Sequence, residues 1–87
     1  MLKSLISEYR ENLFFGLALG EDGYDSLNLE SKIKVYEAVE NTYFWLCYLD
    51  KDFEDLGEAL GYSYFALTEM FKYVLNDKAT ATAAEWI

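Results

Sequence analysis

The sequence predicts an all-α fold, a compact bundle of four to five helices. Three observations point there. The 87 residues contain no proline and only five glycines. Apolar residues recur at three- and four-residue spacing along most of the chain, the period of a helix with one buried face. Hydrophobic residues make up 53% of the composition, too apolar for a disordered chain despite a net charge of -9. A chain of this length is expected to form one domain, 1–87.

The first helix is expected over 2–19, where Leu2, Leu5, Ile6, Tyr9, Leu13 and Leu17 form one stripe, widened late by Phe14 and Phe15. Gly20 is a candidate left-handed stop, and 20–26 reads as a loop by composition. A second helix is expected from about Asn28 to about Leu49, with Glu30 in its first turn, where the macrodipole favours an acid. Its expected inward face is Leu29, Ile33, Tyr36, Val39 (or Glu40), Tyr43, Leu46 and Cys47. Residues 43–49 are apolar on all sides, the pattern of a helix that is central or lies in an interface. Their β-propensity also admits a strand, but no partner strand is evident and the helix is preferred. Cys47 has no second cysteine to pair with and is expected to be a buried structural thiol.

Asp50-Lys-Asp52 supplies an N-cap for a short third helix, 53–60, which Gly61 ends. Ser63 can cap a fourth helix over about 64–75, closed by Asn76-Asp77. The tail is expected to form a last helical turn that docks Trp86.

The third and fourth helices carry the residues that a helix-turn-helix needs for steric reasons. Leu56 and Leu60 are the apolar pair of the first helix and Gly57 is the small residue at the crossing. Gly61 is the turn glycine, followed by the apolar turn residue Tyr62. Leu67 and Met70 are the inward pair of the second helix.

Residues 52–75 therefore resemble the helix-turn-helix of AraC-type bacterial regulators. Their Leu-Ala-x-x-Leu-Gly-Tyr-Ser-x-x-x-Leu-x-x-x-Phe-Lys pattern is met here by Leu56-Gly57, Leu60-Gly61-Tyr62-Ser63, Leu67 and Phe71-Lys72. The resemblance implies that the second helix enters the major groove and reads bases through its exposed positions. The matching positions are Ser63, Tyr64, Phe65, Thr68 and Glu69, and none is Arg, Lys, Asn or Gln, the usual base readers. That family carries two such motifs, and this chain has room for one.

The charge points away from nucleic acid. Acids outnumber bases in both halves of the chain, so no basic arm or tail exists to replace counterions on phosphate. Direct binding to nucleic acid or to an anionic membrane is disfavoured, and a larger protein with a basic surface is the favoured partner. The run Asp50-Lys-Asp-Phe-Glu-Asp-Leu-Gly-Glu58 is either a solvated helix start or an acidic patch for such a partner. The expected partner-binding set is Asp50, Asp52, Glu54, Asp55, Glu58, Tyr62, Tyr64, Phe65 and Glu69: acids to steer, aromatics to anchor. The surplus of aromatics also admits a homodimer seam.

No enzyme activity, cofactor or metal is expected. There is no histidine, and one cysteine makes no zinc site. No glycine loop cradles phosphate. The acids Glu21, Asp22 and Asp25 do not follow the spacing of a calcium loop. The N-terminus lacks a signal peptide's apolar region, no run is long enough to span a bilayer, and the free thiol suits a reducing cytoplasm, which is the expected location. In size and acidity the chain resembles small phage-encoded proteins that block host defences, anti-CRISPR and antirestriction DNA mimics among them. The function expected is an inhibitor or adaptor docking on a nucleic-acid-binding protein. The alternative is a helix-turn-helix regulator binding DNA as a dimer.

Overall fold

The computed structural model describes residues 6–86. Among these are five helices and no strand: α1 (Arg10–Asp25), α2 (Leu29–Tyr48), α3 (Phe53–Leu60), α4 (Tyr64–Leu75) and α5 (Lys78–Glu85). The long α2 is the centre of the bundle and packs against α1, α4 and α5, while α4 also packs against α1 and α3. Leu13, Val35, Val39, Leu56, Leu67 and Phe71 belong to one core cluster and are almost completely buried. Burying each such side chain contributes about 1.5–3 kcal/mol.

The first helix starts later and ends later than its stripe suggests. Residues 6–9 form a turn, in which the Tyr9 N–H donates to Ile6 O at 2.9 Å, and α1 begins at Arg10. Leu2 and Leu5 lie outside the described residues. Gly20 does adopt a left-handed φ of 71°, but the chain resumes its helix and runs on to Asp25. Gly20 is thus a kink, and the expected loop 20–26 is corrected to a short turn before Asn28. The reason is tertiary: the extra helical turn carries Tyr24 into the core, where it is 2% exposed.

The start of α2 follows local chemistry. The Asn28 side chain accepts a hydrogen bond from the Ser31 N–H at 2.9 Å and caps the helix. Its buried face is Ile33, Val35, Tyr36, Ala38, Val39, Thr42 and Leu46. Leu29, Tyr43 and Cys47, expected inside, are all exposed, and so is Glu40. The expected buried thiol at Cys47 is corrected to an exposed one. Ala38 and Thr42 explain the difference. Both are completely buried, so the inward strip passes through two small residues that a search for large apolar side chains overlooks.

The corner between α2 and α3 is a Schellman turn. The Lys51 N–H donates to Leu46 O at 2.8 Å and the Asp50 N–H to Cys47 O at 3.2 Å, with Asp50 left-handed at φ 56°. Asp52 then caps α3 in a capping box. Its side chain accepts from the Asp55 N–H at 3.1 Å, and the Asp55 carboxylate accepts from the Asp52 N–H at 3.0 Å.

The third helix ends where predicted, at Gly61 with φ 73°. The N–H groups of Gly61 and Tyr62 both donate to Gly57 O, at 2.8 and 3.0 Å. A Cβ on Gly57 would lie 2.6 Å from the carbonyl oxygen of Tyr62, so the glycine lets the turn fold back over its own helix. Ser63 occupies the N-cap position of α4, but its side chain makes no capping bond. The tail forms two turns, α5, capped by Asp77. Trp86 is 85% exposed, so the expected docking of that ring is corrected. Thr80 takes the buried place in α5 instead.

Candidate functional site

A shallow groove runs along the outer side of the α3–α4 elbow. Its lining joins Glu54, Asp55 and Glu58 of α3 to Tyr62 in the turn and Tyr64 at the start of α4. Helical spacing places Glu54 and Glu58 one turn apart on the exposed face of α3. The short turn closed on Gly57 then brings the two tyrosines back beside them. No lysine or arginine lines this groove. Among the described residues the one ion pair is Lys34 with Glu30, at 4.0 Å on the surface of α2, so Glu54 and Glu58 stand without a cationic partner.

Five of the nine sequence-predicted binding residues therefore share one groove: Glu54, Asp55, Glu58, Tyr62 and Tyr64. The other four do not line it. Phe65 is 67% exposed on the first turn of α4. Asp50 and Asp52 are exposed at the α2–α3 corner. Glu69 lines a different cavity, against α1. Asp52 and Asp55 also hold the capping box of α3, so part of the acidic run serves the backbone.

At the positions that match the base-reading ones there is no Arg, Lys, Asn or Gln, and the one base on α4 is the exposed Lys72 in its last turn. Ser63, Tyr64, Phe65 and Glu69 are exposed. Thr68 is half-buried, and its hydroxyl donates to Tyr64 O at 2.8 Å.

Two further features have no motif in the sequence. One is a cavity of about 250 Å³ between α1 and α4, with Leu17, Ala66, Met70 and Val74 in its wall and Glu21 and Glu69 among its lining residues. The signal for it is Gly16, a glycine inside a helical stripe, which marks a close approach. A Cβ there would sit 2.5 Å from the Met70 methyl carbon, so Met70 lies directly over the glycine. The other is an aromatic patch at the end of α2. Phe44 is 62% and Tyr48 71% exposed, and both rings contact the Trp45 ring edge-on.

A tyrosine–carboxylate cluster ties α1 to the C-terminal helices. The Tyr24 hydroxyl donates to Asp77 Oδ2 at 2.9 Å and the Tyr73 hydroxyl donates to Asp25. Burial, and then the neighbouring Asp77 carboxylate, push the Tyr24 phenol well above its ordinary range. The hydrogen bond to Asp25 pushes Tyr73 up to about 12. Burial pushes Asp77 upward, but hydrogen bonds from Thr80 and Tyr24 outweigh it and hold the carboxyl below its usual value. These phenols stay protonated at neutral pH, so the cluster is a fixed set of hydrogen bonds.

Among the described residues, no group of three or more His, Cys, Asp or Glu could hold a metal ion. No helix among them is long and apolar enough to cross a membrane. Comparison with known proteins gives no match, whether to family models, to curated proteins or to solved structures.

Proposed function

We propose that this protein is a small acidic inhibitor or adaptor that docks on a basic, nucleic-acid-binding surface of a larger protein. The observation that carries the reading is the elbow groove, where unpaired carboxylates of Glu54 and Glu58 stand beside Tyr62 and Tyr64. Carboxylates without local cations steer a basic partner over distances near the Debye length, about 10 Å at 0.1 M salt. The tyrosines supply large apolar area with a polar tip, the usual anchors of a protein interface. A helix pair shaped like a DNA reader and charged like DNA suits a partner whose own ligand is nucleic acid. In size and acidity the chain resembles phage-encoded anti-defence proteins, and blocking a host nucleic-acid enzyme is the concrete form of the proposal.

The test is affinity capture from a bacterial lysate, with and without nuclease, using the wild type and the Glu54→Lys/Glu58→Lys variant. These two positions are chosen because neither carboxylate holds the α3 cap, whereas reversing Asp52 or Asp55 would loosen the helix itself. A stoichiometric protein partner that resists nuclease, is released by salt and is lost by the variant supports the reading. Recovery of DNA with no protein partner overturns it in favour of a helix-turn-helix regulator.

A further inference from the structure

We infer that the cavity between α1 and α4 is an anchor site for one apolar side chain that is flanked by cationic residues on a basic partner protein. This deepens the reading above and rests on it for the identity of the partner, while the cavity's own chemistry can be tested separately.

Leu17, Glu21 and Tyr24 line the cavity from α1, and its glycines leave room between them, with Met70 lying over Gly16. Gly16 and Gly20 lie one turn apart on α1, and Ala66 on α4 adds only a methyl group. At Gly20 the kink leaves nothing within 4 Å of where a Cβ would stand. The wall is apolar, with Leu17, Met70 and Val74, and the thioether of Met70 is adaptable enough to move for an entering group. A volume of about 250 Å³ is below the range of about 300–1,000 Å³ typical of small-molecule sites, so it suits a single side chain.

Charge decides which side chain context fits. The ionised side chains of the lining are Glu21 and Glu69, both exposed, and no cation accompanies them. An apolar group carried beside carboxylates is repelled, and one carried beside Lys or Arg is attracted. Tyr62 of the elbow groove packs its ring 5.7 Å from Phe14 on α1, the helix that forms one wall of the cavity.

The test uses the isotopically labelled full chain and three short capped peptides, Arg-Phe-Arg, Arg-Ser-Arg and Glu-Phe-Glu, followed by NMR. Arg-Phe-Arg is expected to give saturable shifts at Gly16, Ala66, Met70 and Val74. Neither of the other peptides should move those four resonances. Ala66→Leu, which fills the cavity from a helix-favouring position, is expected to abolish the shifts. Glu21→Gln/Glu69→Gln is expected to weaken binding about threefold or more, in keeping with the strength of exposed charge pairs. No saturable shift at the cavity with Arg-Phe-Arg, or equal binding of Glu-Phe-Glu, overturns the inference. So does capture of the lysate partner by Ala66→Leu as efficiently as by the wild type, an outcome that leaves the elbow-groove reading standing. Cavity binding of the peptide together with a failure to capture any protein strikes the proposed function instead.

Discussion

The phenol of Tyr24, on the last turn of α1, donates a 2.9 Å hydrogen bond to Asp77, the N-cap of α5, 53 residues away. Asp77 simultaneously accepts from the Thr80 N–H at 3.2 Å and the Thr80 hydroxyl at 2.6 Å. One carboxylate therefore both starts the last helix and ties it to the first. Tyr24→Phe removes one bond and leaves the cap intact, at a cost of about 1 kcal/mol. Asp77→Ala loses the cap as well, at a cost of about 2 kcal/mol. Denaturant unfolding of both single variants and the double variant should give a non-additive cycle, because the two share a bond.

Stability should fall on both sides of neutrality, for opposite reasons. Asp77 titrates lower in the folded chain than its ordinary 3.8, so its contribution is complete above that value and is lost as pH falls through the lower folded value. Tyr73 titrates higher when folded, about 12 against an ordinary 10.0, so its contribution holds below pH 10 and is lost as pH rises toward 12. Tyr24 and Tyr36 shift in the same direction, both from burial first. Thermal unfolding against pH should show the alkaline limb reduced in Tyr73→Phe and the acid limb reduced in Asp77→Asn.

Gly57→Ala should be strongly destabilising. The new Cβ would meet a backbone carbonyl at 2.6 Å, and backbone cannot give way as a flexible side chain can. A loss of about 2 kcal/mol or more is expected from the strain, well beyond the helix-propensity gain of about 1 kcal/mol for replacing glycine. A thermal melt equal to or above the wild type would contradict the close approach of the turn to α3.

Thr42→Val should stabilise. The Thr42 hydroxyl is completely buried and has no hydrogen-bond partner. Replacing it with a methyl group of similar size removes the cost of a buried, unsatisfied donor, about 1 kcal/mol. A higher denaturation midpoint at unchanged slope is the expected result, and a lower midpoint would mean that the hydroxyl is satisfied in solution.

Asp50→Gly should also stabilise, by about 0.5–1 kcal/mol, since glycine adopts the left-handed conformation of this corner at no steric cost. Asp50 lies outside the elbow groove, so capture of the basic partner should be unaffected. A simultaneous loss of capture would extend the binding face to the α2–α3 corner.

The boundaries of α3 and α4 and the start of α2 are legible in the sequence because short-range chemistry sets them. Asn28 and Asp52 satisfy orphan N–H groups three residues ahead, and Gly61 adopts a conformation that other residues resist. The all-α class follows from the same local signals together with the absence of proline. Whether the acidic run and the exposed aromatics share one face is not legible in the sequence: the folded elbow decides it, and puts Glu54 and Glu58 in one groove with Tyr62 and Tyr64 while leaving Phe65 outside.

Other features depend on neighbours far away in the chain. The strip of α2 that turns inward passes through Ala38 and Thr42, on a helix against which α1, α4 and α5 all pack, and Tyr43 and Cys47 are left outside. The helix continues past Gly20 because Tyr24 finds a buried place and a partner in Asp77. Trp86 is exposed although it is among the most apolar groups of the tail, whereas Thr80 is buried beside its own cap. Periodicity states that a helix has an apolar side. Which residues fill that side is decided by the shapes of the helices that pack against it, and those contacts are made only when the chain has folded.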